Sequence, residues 1–150
     1  VFALRGGAVS TAAEWIAALL LAVRVPEPHR SCILLHRERI AASAELAAAA
    51  HHVPVSLLLS VAYMESHLGC APQSGGCWGA PISRTRRDVA GGPDHAASAL
   101  RRGYEVCHSD IGAIARFRWG TCTVPAGARG YTPADVLHLA ARVAARIGEI

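Results

Sequence analysis

A chain of 150 residues is long enough for one domain with a single core, and 52% apolar residues exclude a disordered or low-complexity polypeptide. Ala-rich and Leu-rich runs, short β-branched runs and only 5% aromatic residues predict an all-α protein. The net charge of +4 arises from 15 arginines and no lysine, scattered with pairs only at Arg86-Arg87 and Arg101-Arg102, so the basic sign favours a polyanionic partner while the absence of a basic patch argues against nucleic acid.

The first element is "WIAALLLAV", residues 15 to 23, bounded by Glu14 and Arg24. It is too short to be a transmembrane span. It reads as an amphipathic helix that starts at Ser10 or Thr11 and is stopped by Pro26, because no small-residue cleavage site follows to make it an export signal. "VPEPH", residues 25 to 29, reads as a linker, so residues 1 to 30 form an N-terminal helical extension that can pack on the core or dock in a protein assembly, and residues 31 to 150 form the main domain.

In the main domain the patterning predicts helices at about residues 37 to 50, 54 to 68, 95 to 107, 109 to 119 and 133 to 147. Pro54 suits a first turn and Gly69 a stop, Asp94 is placed to cap the following helix, and Thr132-Pro133-Ala134-Asp135 is an aspartate variant of the capping box. Between residues 69 and 93 helical periodicity fails, and Gly, Pro, Ser and Cys define a long loop of the kind that carries function. The spacings of Cys70-Cys77 and Cys107-Cys122 each close a modest loop, so the expectation is two disulfides with Cys32 as a free thiol, in oxidising surroundings outside the cytoplasm. A zinc site built from those four cysteines is the rival, weakened by the absence of any C-x2-C pair.

One side chain stands out against this background. "SLLLSVAYMESHLGC", residues 56 to 70, holds a single acidic residue, Glu65. The apolar positions Val55, Leu58, Leu59 and Ala62 recur at helical steps, and one further step reaches Glu65 or Ser66 at the edge of the buried face near the helix end. Desolvation and the negative end of the helix dipole both favour a protonated carboxyl there, the state a general acid needs. The plain alternative is a glutamate turned to solvent or paired with an arginine from elsewhere, such as Arg116 or Arg118.

"HHVPVSLLLSVAYMESHLGCAPQSGGCWGAPIS", residues 51 to 83, resembles the catalytic segment of the soluble lytic transglycosylases, lysozyme-like enzymes that cleave peptidoglycan. Val53-Pro54 opens an apolar helix ending in Glu65-Ser66, and Ser74 and Gly79-Ala80 follow in a loop. Weaker similarity runs through residues 98 to 122 and 130 to 143. The resemblance implies a lysozyme-like helical fold, peptidoglycan glycan strands as substrate, no cofactor and no metal. It implies that Glu65 alone serves as acid and base, giving a 1,6-anhydromuramic product. It places Ser66, Ser74, Gly79 and Ala80 along the substrate, and implies an extracytoplasmic (periplasmic or cell-envelope) or virion-tail location.

The chain departs from the family at three positions, one of them Arg118, which stands where the family has an Asn after its tyrosine. Where the family has a cleft-lining Gln, this sequence reads Ala80-Pro81-Ile82-Ser83, so Ser83 would make that contact; and the family's tyrosine near the acid falls on Phe117, which cannot donate, leaving Tyr131 or Tyr63 to compensate. Trp78, beside Gly79, is placed to stack on a sugar face or to join the core. These departures leave open a catalytically weak or inactive peptidoglycan-binding component of a phage tail or secretion machine. A hydrolysing lysozyme would need a second carboxylate, for which Asp88, Asp94, Glu105 and Asp110 are the candidates.

Overall fold

A computed structural model describes residues 11–70 and 92–148. Among these the fold is all-α, with six helices and no strand: α1 (Ala12–Ala22), α2 (His29–His51), α3 (Val55–Ser66), α4 (Pro93–Cys107), α5 (Asp110–Trp119) and α6 (Pro133–Ile147). None of the described helices is long and apolar enough to cross a membrane.

α3 is the central helix, packed against α1, α2, α4 and α6. Leu57, Leu58, Leu59 and Val61 are all fully buried, so the helix is apolar around most of its circumference, as a core helix must be. The single stripe expected from Val55, Leu58, Leu59 and Ala62 was therefore too narrow, and Val55 itself is only partly buried. Ser60 is tolerated inside because its hydroxyl donates to the Ser56 carbonyl at 2.6 Å.

α1 shares this core through Trp15, Ile16 and Leu19. Its N-terminus carries the capping box of Thr11 and Glu14, and the Ala12 N–H is taken by the Glu45 carboxylate of α2 at 2.5 Å. Its C-terminal carbonyls are met by Arg142 of α6, which donates to Ala22 at 2.5 Å, and by Arg30, which donates to Leu20 at 3.3 Å. The element expected as an extension is thus fastened at both ends to the helices of the main domain.

Two helix starts differ from expectation. α2 begins at His29 rather than near residue 37, because the Arg30 N–H bonds to the Pro26 carbonyl and the Cys32 N–H to that of Pro28, so the chain turns helical directly out of the Pro-rich linker. α4 is capped by Gly92 with Pro93 in its first turn, and Asp94 does not cap it; the Asp94 carboxylate instead meets His51 Nε2 at 2.8 Å. The capping box at Thr132 and Asp135 of α6 forms as expected.

α4 and α5 make a close hairpin. A Cβ on Gly103 would stand 2.9 Å from the Ala113 carbonyl oxygen, so glycine is what lets the two backbones meet. The Cys107–Cys122 disulfide ties the end of α4 to the segment after α5, as the spacing predicted. The second bridge corrects the sequence reading: Cys70 pairs with Cys32, 38 positions earlier, and not with Cys77, which lies outside the described residues. Its reach comes from α2 starting early enough to bring Cys32 beside the end of α3. Cys32, expected free, is bonded, and all four of these sulfurs are consumed as disulfides rather than offered as thiolates to a metal.

Candidate functional site

The end of α3 is tightly fixed. Three successive residues take left-handed conformations, His67, Leu68 and Gly69, and the His67 N–H closes back on Tyr63 at 2.9 Å. Leu68 is buried at 2% exposure, and Cys70 is bonded to α2 immediately beyond. Glu65 lies in the last turn before this stop, with its side chain 14% exposed. It is the place where the central helix emerges from the core.

Two other parts of the chain meet Glu65 there. The hydroxyl of Tyr131, one residue before the α6 cap, donates to Glu65 Oε1. Arg118, in the last turn of α5, brings Nη1 to 3.7 Å from the same oxygen. The second distance is within ion-pair range and too long for a hydrogen bond. Among the described residues no partner meets Oε2.

Arg118 is itself held on several sides. Its guanidinium lies 4.2 Å from the Tyr131 ring centroid and 5.0 Å from that of Trp119. Nη2 donates to the Arg129 carbonyl at 2.8 Å. Gly130, at φ +86°, adopts the left-handed region and leaves open the space where a Cβ would run into that guanidinium.

Burial, the bond to Glu65 and the charge of Glu65 push the Tyr131 hydroxyl far above the ordinary tyrosine range, while Arg118 pulls the other way without overcoming them. Tyr131 is therefore a fixed donor, not an acid. Also at the α3 end, His67 stacks on His29 of α2 with ring centroids 4.6 Å apart, and Tyr63 meets the His67 ring edge-on at 4.9 Å. Burial first, and the neighbouring His29 second, hold the His67 imidazole below the usual histidine range.

The sequence-predicted residues fall into three groups. Glu65 and Tyr131 are brought together, and Arg118, offered in the sequence only as the plain ion-pair partner, joins them. Ser66 is 1% exposed, and its hydroxyl accepts from the Gly69 N–H at 3.0 Å and donates toward the Ala62 carbonyl at 3.4 Å. Phe117 packs against the core rather than reaching the carboxyl. Ser74, Trp78, Gly79, Ala80 and Ser83 lie outside the described residues.

The other carboxylates weighed for catalysis are placed elsewhere. Asp94 is engaged with His51, Glu105 pairs with Arg101 at 3.0 Å on the exposed face of α4, and Asp110 is buried in the first turn of α5. Asp88 is outside the described residues. No cluster of metal-ligating side chains occurs among the described residues. No protein-family model matches the chain, and no curated protein or solved structure is significantly similar to it.

Proposed function

We propose that the protein cleaves the glycan strands of peptidoglycan as a lytic transglycosylase, with Glu65 as its acid and base. The observation that carries this reading is the mostly buried Glu65 carboxyl at the end of the central helix, gripped through Oε1 by Tyr131 while Oε2 meets no partner among the described residues. The resemblance of residues 51 to 83 to the family's catalytic segment supports it, and Tyr131 supplies the hydroxyl that Phe117 lacks.

In this reaction the protonated carboxyl of Glu65 gives its proton to the oxygen between C1 of N-acetylmuramic acid and C4 of N-acetylglucosamine. The C1–O bond breaks and the N-acetylglucosamine side leaves as an alcohol. The resulting carboxylate then takes the proton of the muramoyl C6 hydroxyl, whose oxygen bonds to C1 and closes the 1,6-anhydro ring. Glu65 ends protonated again, and neither water nor a second carboxylate takes part. The lysozyme-like fold belongs to this proposal, as does work in the periplasm, cell envelope or virion tail, where the two disulfides persist.

The 3.7 Å approach of Arg118 to Glu65 favours a second reading, a wall-binding component of a secretion machine or phage tail in which the pair is structural and turnover is lost. Mass spectrometry of soluble products from purified sacculi, treated with the wild type and with Glu65→Gln, separates the two. Anhydro-ended muropeptides from the wild type alone are expected. Products with reducing muramic acid ends would indicate hydrolysis instead, and the absence of products from both proteins would leave the binding role.

A further inference from the structure

Arg118 is fixed more firmly than an arginine that merely decorates a helix end. Its guanidinium is stacked against Tyr131 and Trp119, bonded to the Arg129 carbonyl, and given room by Gly130. An arginine so restrained has lost its side-chain freedom before any ligand arrives, which lowers the entropic cost of binding through it. The side chain is still 23% exposed, and at 3.7 Å the Nη1 protons are not spent in a hydrogen bond to Glu65. A planar cation therefore stands beside the acid with its Nη1 protons unspent, Nη2 being bonded to Arg129 and Nε buried.

Charge balance gives that cation a ligand. To act as an acid Glu65 must carry a proton, and in that state Arg118 loses its counter-charge in a partly desolvated place. An anionic group on the ligand restores the balance. Of the two sugars joined at the scissile bond, only the muramoyl residue bears carboxylates, on its lactyl group where the stem peptide has been removed and on the stem where it remains. Nη1 offers such a carboxylate a charge-assisted hydrogen bond.

We propose that Arg118 binds a carboxylate of the muramoyl residue and so selects muramoyl over N-acetylglucosamine units at Glu65. The inference rests on the wall-cleaving reading and adds a specificity residue to it. Arg118 handles the ligand's anion and takes no part in proton transfer.

The test is an NMR titration of the full chain, following the signals of Arg118, Trp119 and Tyr131. The probes are N-acetylglucosamine, N-acetylmuramic acid, the lactyl methyl ester of N-acetylmuramic acid, and N-acetylmuramoyl-L-alanyl-D-isoglutamine, whose lactyl group is amidated and whose free carboxylate lies on the stem. The free acid is expected to bind about tenfold more tightly than the ester and than N-acetylglucosamine, as the loss of one charged hydrogen bond implies. Arg118→Gln is expected to abolish that preference. Because the ester comparison uses the unaltered protein, it decides the matter even if the variant does not fold. A dipeptide that retains the preference assigns the carboxylate to the stem, and one that behaves like the ester assigns it to the lactyl group. Equal binding of acid and ester overturns the role of Arg118 while leaving sugar binding at Glu65 standing. No response of these signals to any of the four sugars overturns both.

Discussion

The hydroxyl of Tyr131 donates to Oε1 of Glu65 across 66 positions of chain, joining the end of α3 to the entry of α6. Removing that donor with Tyr131→Phe keeps the ring, and with it the face that Arg118 covers, while leaving a mostly buried carboxyl short of its bond. The expected cost is about 2 kcal/mol of stability, the usual range for leaving one partner of a buried hydrogen bond unpaired, read from urea denaturation. Release of anhydro-muropeptides from sacculi should fall by about tenfold or more through lost orientation of the acid. Unchanged stability and unchanged product release together would show the contact to be idle.

The His67 imidazole makes folding sensitive to mild acid. Its folded pKa is held below the usual histidine value of about 6.5, mainly by burial and then by His29. The unfolded chain therefore binds more protons at this residue once the pH drops below that value. Stability is fully present above about pH 6.5 and is lost as the pH falls from there through the lower folded value, with no further loss from this group below it. His67→Asn, chosen because asparagine accepts the left-handed backbone found there, should flatten the decline between pH 7.5 and 5 in denaturation midpoints. A variant as acid-sensitive as the wild type would assign the effect to other groups.

Cys32 and Cys70 lie 38 positions apart and fasten the first turn of α2 to the chain just beyond α3. Non-reducing peptide mapping should yield a Cys32–Cys70 crosslinked peptide and leave Cys77 as the one free thiol of the five cysteines. Cys32→Ser should cost about 4 kcal/mol, the loop-entropy value for a closure of this length. A crosslinked Cys70–Cys77 peptide from the wild-type protein would contradict this pairing.

Gly103 lets α4 approach α5, the helix that carries Arg118. In Gly103→Ala the new methyl would sit 2.9 Å from a backbone oxygen and 3.1 Å from the Cα of Ala113, atoms that cannot rotate away. A loss of about 2 kcal/mol is expected from overpacking, against the small gain that alanine brings at an unobstructed helical site. Thermal unfolding measures it, and a rise in Tm would mean that the two helices have room to part.

Much of the fold was legible in the residues. The apolar run of α3, the start of α1 at Ser10 or Thr11, the capping box at Thr132 and the short Cys107–Cys122 loop are local signals, decided by neighbours within a few positions or by a short span of chain. The beginning of α2 was hidden because Pro26 and Pro28 read as linker, whereas their carbonyls accept the first helical hydrogen bonds. The Cys32–Cys70 pairing was missed for a related reason: spacing ranks a near partner first, and only the packing of α2 on α3 puts the distant one closer.

By itself the sequence determined that the chain is helical and cysteine-bridged, and that Glu65 is the anomalous carboxyl at the end of its most apolar helix. Periodicity and local capping carry that information because helical hydrogen bonds join residues four apart. Tertiary structure alone decided Glu65's company. Tyr131 and Arg118 come from other elements, and whether they meet Glu65 depends on how α5 and α6 end against α3. A carboxyl's chemistry is set by the charges and donors within a few ångströms, and such distances between remote segments are fixed by packing, not by position in the chain.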